Sequence, residues 1–499
     1  MAQTVTLTEE AEPGRACPRV AWRQVLLIAG VVAVVHLAVA ARYGWHRDEF
    51  YYVITGRHPA WGYVDQPPLT PVLARLAAAL PGGVLPLRIL AIAAAAGCVL
   101  LAAKLAAELG GRRRAQLISA AAVAACPAYV AASALFGTTG TDQVFWLAVM
   151  VATARALRVG TIPAWLLAGL LAGLGLENKD TIAALLIGIA LGLVITRRAV
   201  LRTPGPWLAA VPALLIALPN ILWNASYGWP WPNVRMAAVL AGRQGSALTQ
   251  VPELLLLLTG PPMLLLLMLG VRQLCATTGR PHRWLLVVAI TAVTLVAVTA
   301  GKSYYAAPAL PGLFAAGAVR VEAANTRHGR RRWPIAIGLT GVLAILIGLP
   351  VLPPKIASIA TGSASPVLET YGWTDYVHQI VTVADRYPAG TTIFTSNYGE
   401  AGALTILGPS AGLRNPVGSG HNAYGFWGPP PGSDATVLCV GEFTPAYLHQ
   451  YWSQVTEIAP LTMPDGLSNE ETRLGAAIYL CRQPHGTWTQ LWPSLKQLR

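Results

Sequence analysis

The stretch W-H-R-D-E-F-Y-Y-V-I-T-G-R-H-P-A-W-G-Y-V-D-Q-P-P-L-T-P, from Trp45 to Pro71, decides how the rest of the sequence is interpreted. It follows the first long apolar segment and holds the carboxylates Asp48, Glu49 and Asp65 among histidines, arginines and aromatic residues. Carboxylates beside a membrane span cost free energy unless they face water or a substrate, so they are candidates for function. The alternative is an ordinary hydrated loop with an interfacial belt of aromatic side chains.

The composition is that of a membrane protein. Of the 499 residues, 54% are hydrophobic and 12% are charged, and the mean hydropathy is +0.51. A soluble domain carries about 25% charged residues. The net charge of +14 comes from short basic clusters between apolar runs. Such clusters are typical of topology signals, whereas nucleic-acid binding needs a basic face with interleaved aromatic residues, so no nucleic-acid partner is expected.

Apolar runs near the roughly 20 residues that cross a bilayer recur along the chain and predict a polytopic α-helical membrane protein with about 11 spans. The predicted spans are 22–42, 84–107, 115–136, 142–158, 162–177, 180–197, 207–224, 253–272, 284–301, 303–320 and 334–353. Basic clusters such as Arg112–Arg114 and Arg197–Arg198 follow the even-numbered spans. By the positive-inside rule those ends and the N-terminus are cytoplasmic, in a multi-pass protein of the plasma membrane.

This topology brings the acidic residues of the membrane half to one side. The outer face receives the loop with Asp48 and Asp65, the turn with Asp142, the turn 177–180, the loop 225–252 and the turn 301–305. An odd number of spans places the C-terminal region on the same side. We therefore expect an extracytoplasmic active site.

The composition changes near residue 355. This change divides the chain into a transmembrane catalytic domain, 1–354, and an extracytoplasmic α/β domain, 355–499. The patterns in the second domain predict a helix at 373–387 and strands at 391–395, 435–440 and 476–481, with a short helix between the last two strands.

Two further features of the C-terminal region are left open by the sequence. The loop 418–431, which contains His421, is long and aromatic, and is either a binding loop or a proline-stiffened surface loop. Cys439 and Cys481 lie in two of the predicted strands. Whether they form a disulfide stays open because the sequence does not give the distance between them.

The groups in the membrane half suit transfer of a sugar from a lipid-linked phosphate to a hydroxyl. A carboxylate near the acceptor acts as a general base. A Lys or Arg holds the departing phosphate and offsets its growing charge. Aromatic residues such as Tyr52 stack on a sugar or line a lipid groove. The sequence contains no glycine-rich nucleotide loop.

The later candidates each have a structural alternative. Asp142 either orients a substrate or caps the helix that it opens. Lys179, in the turn E-N-K-D, either binds phosphate or forms a surface salt bridge. Lys302, with Tyr304 and Tyr305, either binds phosphate or lies along the membrane interface.

The motifs D-E-F-Y-Y at 48–52 and G-Y-V-D-Q-P-P-L at 62–69 resemble those of the GT-C glycosyltransferases of family 39 type. That family includes the protein O-mannosyltransferases and the bacterial lipid A aminoarabinose transferases. The resemblance continues through Asp142, through Lys179 in a turn like the family's T-K-G, and through K-S-Y-Y-x-x-P-x-L-P at 302–311. It covers about the first 320 residues, and it implies the GT-C fold and a polyprenyl-phosphate-linked sugar as donor.

The resemblance also implies roles for individual residues. Asp48 matches the family's catalytic base, with Glu49 beside it. Asp65 matches the acidic residue before Pro-Pro, which in some members contacts a metal. Lys302 and Tyr305 match the region that holds the lipid phosphate. The sequence therefore establishes no cofactor and leaves open a divalent cation at Asp65.

The sequence departs from the aminoarabinose transferases at two positions. Gln66 stands where they have Lys, and Tyr51 stands where they have Arg. Phosphate binding must then rest on other cations, which leaves the identity of the donor open. The cations available are Arg47, Arg57, Lys179 and Lys302.

The sequence therefore predicts a membrane glycosyltransferase that moves mannose or another hexose or pentose from a polyprenyl phosphate to a hydroxyl of a protein, lipid or glycan at the outer face. Asp48 and Asp142 are the predicted catalytic residues. The predicted substrate-binding residues are Glu49, Tyr52, Arg57, Asp65, Gln66, Lys179, Lys302, Tyr304, Tyr305 and His421. The alternative is a transporter or flippase of a lipid-linked sugar, a class in which inverted repeats and charges at mid-membrane are common.

Overall fold

The computed structural model describes residues 17–230, 232, 247–299, 301–324, 327–362 and 365–498. Residues 231 and 233–246 of the predicted outer loop lie outside this described part. The described residues up to 362 form helices and the turns between them. Its α-helices are α1 Trp22–Val39, α2 Arg47–Arg57, α3 Leu69–Ala78, α4 Leu85–Glu108, α5 Arg113–Ala125, α6 Pro127–Ala132, α7 Thr138–Val159, α8 Ile162–Leu176, α9 Ile182–Thr196, α10 Gly205–Ser226, α11 Ala247–Glu253, α12 Pro261–Cys275, α13 Trp284–Val298, α14 Leu310–Ala324, α15 Arg327–Gly348 and α16 Pro354–Thr361.

Each predicted apolar segment falls on helix in this region. Among the described residues, four helices are long and apolar enough to cross a membrane, or five if one bent pair counts as a single span. Four further apolar helices are shorter, at 10–17 residues. These helices are those of a polytopic helical membrane protein, while the predicted number of spans stays a prediction.

Prolines break two of the predicted spans. The helices Thr249–Leu258 and Pro261–Cys275 meet at an angle of 105°. Gly260 between them has a φ of +84°, which glycine adopts without strain, and the proline that follows cannot continue a helical hydrogen-bond ladder. Cys126 separates α5 from α6 with a ψ of 122°, the extended backbone that the following Pro127 favours.

The C-terminal region forms an α/β unit. Its elements are α17 Trp373–Ala384, β1 Thr391–Thr395, α18 Tyr398–Leu407, β2 Val417–Ser419, α19 Ala423–Trp427, β3 Ser433–Gly441, α20 Pro445–Leu448, β4 Trp452–Pro460, α21 Glu470–Arg473, β5 Ala477–Pro484 and α22 Trp488–Leu495. In the described residues the strands form one five-stranded sheet with the order β2-β1-β3-β5-β4. β1 is parallel to β2 and β3, and β5 is antiparallel to β3 and β4.

The three strands predicted here are confirmed as β1, β3 and β5, and the predicted helix at 373–387 is α17. Two strands were not predicted. β2 is only three residues long, and β4 is an edge strand in which polar residues prevent a clear alternation. Cys439 and Cys481 are both buried and both free thiols in the structure.

One helix of the membrane half packs into the core of the C-terminal sheet. Phe50 of α2 is fully buried and lies in the same apolar cluster as Trp373, Ile393 and Leu438. Trp45 stacks on Phe50 with ring centroids 5.1 Å apart. The segment that carries the first predicted carboxylates is therefore fixed by the C-terminal region, and this contact positions the candidate site.

Candidate active site

Asp48 is presented at the N-terminal end of α2. His46 is the N-cap residue, and its Nδ1 accepts a hydrogen bond from the Asp48 backbone N–H at 3.2 Å. The Asp48 carboxylate accepts a hydrogen bond from Tyr398 Oη at 2.8 Å, and 39% of its side-chain surface remains accessible. Desolvation raises the pKa of Asp48, but His46, Arg47, the Tyr398 hydroxyl and Lys302 outweigh it and lower the pKa. Asp48 is therefore an ionised and accessible carboxylate at neutral pH.

Glu49, the next residue, is in a different environment. Its side chain is fully buried, and its carboxylate accepts hydrogen bonds from Arg88 Nε at 2.5 Å and from Arg88 Nη2 at 2.8 Å. The same carboxylate accepts from the backbone N–H groups of Phe136 and His46, each at 2.9 Å. These contacts join α2 to α4 and to the segment before α7. They give Glu49 a structural role, and its predicted part in substrate binding has no support from its contacts.

A pair of ammonium groups lies beside two tyrosines. Lys179, in the turn between α8 and α9, donates to Thr139 Oγ1 at 2.9 Å, and its Nζ is 4.8 Å from the ring centroid of Tyr305. Lys302 Nζ is 5.9 Å from the ring centroid of Tyr304. Desolvation lowers the pKa of Lys179 to about 8, and the positive charge of Lys302 contributes, against the opposite effect of Asp142. This arrangement favours an anion, because a negative charge nearby would offset the desolvation of Lys179 and its repulsion by Lys302.

Asp142 does not cap a helix. α7 begins at Thr138 with Gly137 as its N-cap, so Asp142 lies in the second turn, and the capping alternative is wrong. Its Oδ2 accepts a hydrogen bond from Thr181 Oγ1 at 2.8 Å. The side chain is buried and lies close enough to Lys179 to affect its charge. Asp142 thus holds the turn that carries Lys179, and its predicted catalytic part stays a prediction.

Asn178 holds the same turn and was not predicted. It is fully buried, and its Oδ1 accepts from Thr70 Oγ1 at 3.0 Å and from Thr141 Oγ1 at 2.6 Å. Its Nδ2 donates to the Thr138 carbonyl at 3.0 Å. The residue therefore ties the turn to α3 and to the start of α7. The sequence of the short turn E-N-K-D does not show that this amide is buried, so it gave no signal for the role of Asn178.

Asp65 lies between α2 and the C-terminal loop 418–431. Its Oδ1 accepts from Tyr51 Oη at 3.0 Å and its Oδ2 accepts from Asn422 Nδ2 at 3.1 Å. Water reaches the side chain, but the surrounding protein desolvates the carboxylate and raises its pKa to about 6, against the two hydrogen bonds that lower it.

A metal bound by Asp65 is not supported by this geometry. Both carboxylate oxygens already accept hydrogen bonds from the protein. Among the described residues, no group of three or more His, Cys, Asp or Glu side chains has the arrangement of a metal site. A divalent cation at Asp65 therefore stays a prediction.

Of the other predicted residues, Tyr52 and His421 lie near Asp48, Gln66 lies beside Asp65, and Arg57 lies at the far end of α2. Tyr52 packs edge-on against Phe136, with ring centroids 6.1 Å apart, and His421 Nδ1 accepts a hydrogen bond from the Tyr398 backbone N–H at 3.3 Å. His421 therefore adjoins the tyrosine that donates to Asp48, and Tyr52 lies next to Tyr51, whose ring stacks on Tyr398. Gln66 is buried beside Asp65, and neither side-chain amide atom has a hydrogen-bond partner within the described residues. Arg57 ends α2 with an exposed side chain, about 13 Å from Asp48 along the helix axis at 1.5 Å per residue.

Residues 65–223 match the family model described as dolichyl-phosphate-mannose-protein mannosyltransferase. No curated protein sequence matches the chain.

Two solved structures are similar over nearly the whole chain. ArnT from Cupriavidus metallidurans bound to undecaprenyl phosphate matches with a TM-score of 0.61 and 14% identity, over 92% of this chain and 98% of that one. The mycobacterial arabinofuranosyltransferase AftD matches with a TM-score of 0.51 and 12% identity, over 93% of this chain and 40% of that one. The resemblance predicted from the motifs is confirmed: the chain has the fold of the GT-C glycosyltransferases of the protein mannosyltransferase and ArnT type.

Proposed function

We propose that the protein is a membrane glycosyltransferase that moves a sugar from a polyprenyl-phosphate donor to an acceptor hydroxyl at the outer face of the membrane. The observation that carries this proposal is the accessible Asp48 carboxylate together with a pair of ammonium groups, since Lys179 Nζ and Lys302 Nζ lie 5.5 Å and 5.9 Å from the ring centroid of the same residue, Tyr304. The charge of Lys302 also helps to lower the pKa of Asp48. A base and an anion site next to each other are what this transfer needs.

In the proposed reaction, Asp48 takes the proton of the acceptor hydroxyl as its oxygen forms a bond to the anomeric carbon of the sugar. The bond between that carbon and the phosphate oxygen breaks, and the electron pair leaves with the polyprenyl phosphate. The phosphate gains one negative charge as it departs. Lys179 and Lys302 stabilise this charge through their ammonium groups.

The rings of Tyr304 and Tyr305 lie with the two ammonium groups and offer an apolar surface for the first part of the lipid or for the sugar. The fold shared with ArnT, which was solved with undecaprenyl phosphate, supports a lipid-linked donor. The sugar is mannose or another hexose or pentose, and the acceptor is a protein, a lipid or a glycan. The transmembrane helices of the enzyme contact membrane lipid.

The test uses the purified full-length protein in lipid nanodiscs with a panel of polyprenyl-phosphate sugars that differ in the sugar. Release of polyprenyl phosphate is measured by mass spectrometry, with empty nanodiscs as the control. Release that depends on the protein and on one class of sugar would establish the transferase and name its donor. Binding of a donor without release across the panel and a mixture of acceptors would refute the proposed function.

A further inference from the structure

The C-terminal region contributes a side chain to the carboxylate that the reaction needs. Tyr398 is the first residue of α18, and its Oη donates a hydrogen bond of 2.8 Å to Asp48 Oδ1 across 350 residues of sequence. Asp48 lies in the first turn of α2, after the first membrane helix, whereas Tyr398 follows the first strand of the C-terminal sheet.

The contact depends on an unusually close approach of two helices. A Cβ atom at Gly399 would lie 2.8 Å from Arg47 Cβ, and one at Gly402 would lie 2.7 Å from Phe50 Cβ. Both distances are shorter than real Cβ contacts allow, so only glycine lets α18 pack this closely on α2. The two glycines, three residues apart, face the same partner. They bring the phenol of Tyr398 within reach of Asp48.

The ring of Tyr398 is held by its neighbours. It stacks on Tyr51 with ring centroids 4.4 Å apart and on His421 with centroids 4.8 Å apart, and the Arg47 guanidinium lies 5.1 Å from its centroid. The α18 N-terminus is fixed by Asn397, whose Oδ1 accepts from the Gly399 and Glu400 backbone N–H groups. A phenol that is clamped in this way holds its partner oxygen in one place.

A second contact from the same region reaches the other accessible carboxylate. Asn422, at a φ of +50°, donates to Asp65, and the Ala423 backbone N–H donates to Tyr51 Oη, which itself donates to Asp65. A non-glycine residue in this part of the Ramachandran map persists only where its surroundings stabilise it. The two accessible carboxylates of the segment 45–71, Asp48 and Asp65, are thus hydrogen-bonded to side chains of the C-terminal region.

We propose that Tyr398 is a positioning residue for the reaction, which fixes one oxygen of Asp48 and so leaves the other directed to the acceptor hydroxyl. This inference rests on the proposed function. The C-terminal region is then a part of the active site, and the hydroxyl of Tyr398 matters for the rate of transfer more than for donor binding.

The first experiment compares Tyr398→Phe, which keeps the ring and removes the hydroxyl, with Tyr371→Phe. The control removes a similar hydroxyl–carboxylate bond, to Asp465 on the surface of the same region. For Tyr398→Phe we expect kcat to fall by about tenfold to a hundredfold, the factor that corresponds to one hydrogen bond to a charged group, with KM for the donor nearly unchanged. Wild-type kcat in this variant would overturn the proposal.

The second experiment measures the titration of Asp48 without any substrate. The Asp48 carboxyl band is isolated as the infrared difference between protein with and without the Asp48→Asn substitution. Other charged or titratable groups around Asp48 are His46, Arg47, Tyr52, Asp65, Lys179, Lys302 and Tyr304. These groups are the same in the wild type and in Tyr398→Phe. A donated hydrogen bond favours the ionised carboxylate, so its loss in Tyr398→Phe should move the Asp48 midpoint to higher pH.

The outcomes separate the two proposals. If no donor is turned over by the wild type, the proposed function fails, while an unchanged Asp48 midpoint in Tyr398→Phe would still refute the role of the tyrosine. If Tyr398→Phe loses its fold, 3-fluorotyrosine at this position keeps the ring and strengthens the donor. We then expect the Asp48 midpoint to move to lower pH, and a midpoint equal to that of the wild type would refute the proposal.

Discussion

The ion pair of Glu49 and Arg88 should contribute strongly to the stability of the fold, because it joins α2 to α4. The Glu49 side chain is fully buried and the Arg88 side chain is 4% exposed. The guanidinium also donates to the carbonyls of Ala40 and Gly44, each at 2.9 Å. In the Glu49→Gln variant this cation remains buried without a counter-charge, and one oxygen that accepts from N–H donors becomes an NH2 group. Breaking a buried pair in this way costs about 3–5 kcal/mol in the free energy of unfolding.

The assay is unfolding of the purified protein in mixed micelles, followed by tryptophan fluorescence. The matched control is Asp465→Asn, which removes the carboxylate of an exposed pair with Lys355, where the side chains are 43% and 64% exposed. That change should leave the free energy of unfolding nearly unchanged, because solvent screens an exposed pair. The double variant Glu49→Met with Arg88→Met should recover much of the loss, because replacing both partners of a buried pair by apolar residues is often neutral. A Glu49→Gln variant as stable as the control would refute this reasoning.

Three further predictions follow from single contacts. Lys179→Met should weaken donor binding by about tenfold or more, the loss of one charged hydrogen bond, whereas Lys104→Met, which removes an ammonium paired with Glu108, should leave binding unchanged in the same titration. Gly402→Ala should cost about 1–3 kcal/mol of stability by overpacking against Phe50, while Gly338→Ala, in a helix with open space around it, should not destabilise the fold. Burial first, and then Glu442 and Glu471, raise the pKa of Glu400 above its usual value of 4.5. The folded protein therefore binds more protons than the unfolded chain, so stability should fall as pH rises above about 4.5. In thermal unfolding from pH 5 to pH 8, Glu400→Gln should reduce this decline, and an equal decline in both proteins would contradict the assignment.

The helices could be predicted because their signal is local. Apolar runs placed every predicted segment on helix, and the break at Pro261 follows from the backbone of proline and of the preceding glycine. The strands β1, β3 and β5 could be predicted for the same reason, since each is a short apolar run. The strands β2 and β4 carry too little local pattern, and only their pairing within the sheet defines them.

The candidate site could be predicted only in part, because its geometry joins distant segments. Asp48 and Glu49 are adjacent carboxylates, and the sequence gives them the same neighbourhood. Successive side chains on a helix point about 100° apart, so one is accessible and the other meets Arg88, 39 residues away. Tyr398 was not predicted since nothing in the sequence N-Y-G-E indicates a partner in the first loop. Asp142 was assigned to a helix start because the threonines before it were not counted as helical, although α7 includes them.

The central claim is that Asp48 is the base of a transfer reaction at this site. The most direct test measures donor binding and polyprenyl phosphate release on the same nanodisc samples of the wild type, Asp48→Asn and Asp375→Asn. Asp375 is an exposed carboxylate on α17 and serves as the control. We expect Asp48→Asn to bind the donor as the wild type does. Its rate of polyprenyl phosphate release should fall by at least about a hundredfold, which is the contribution of a general base. Release by Asp48→Asn at the rate of the wild type would contradict the account.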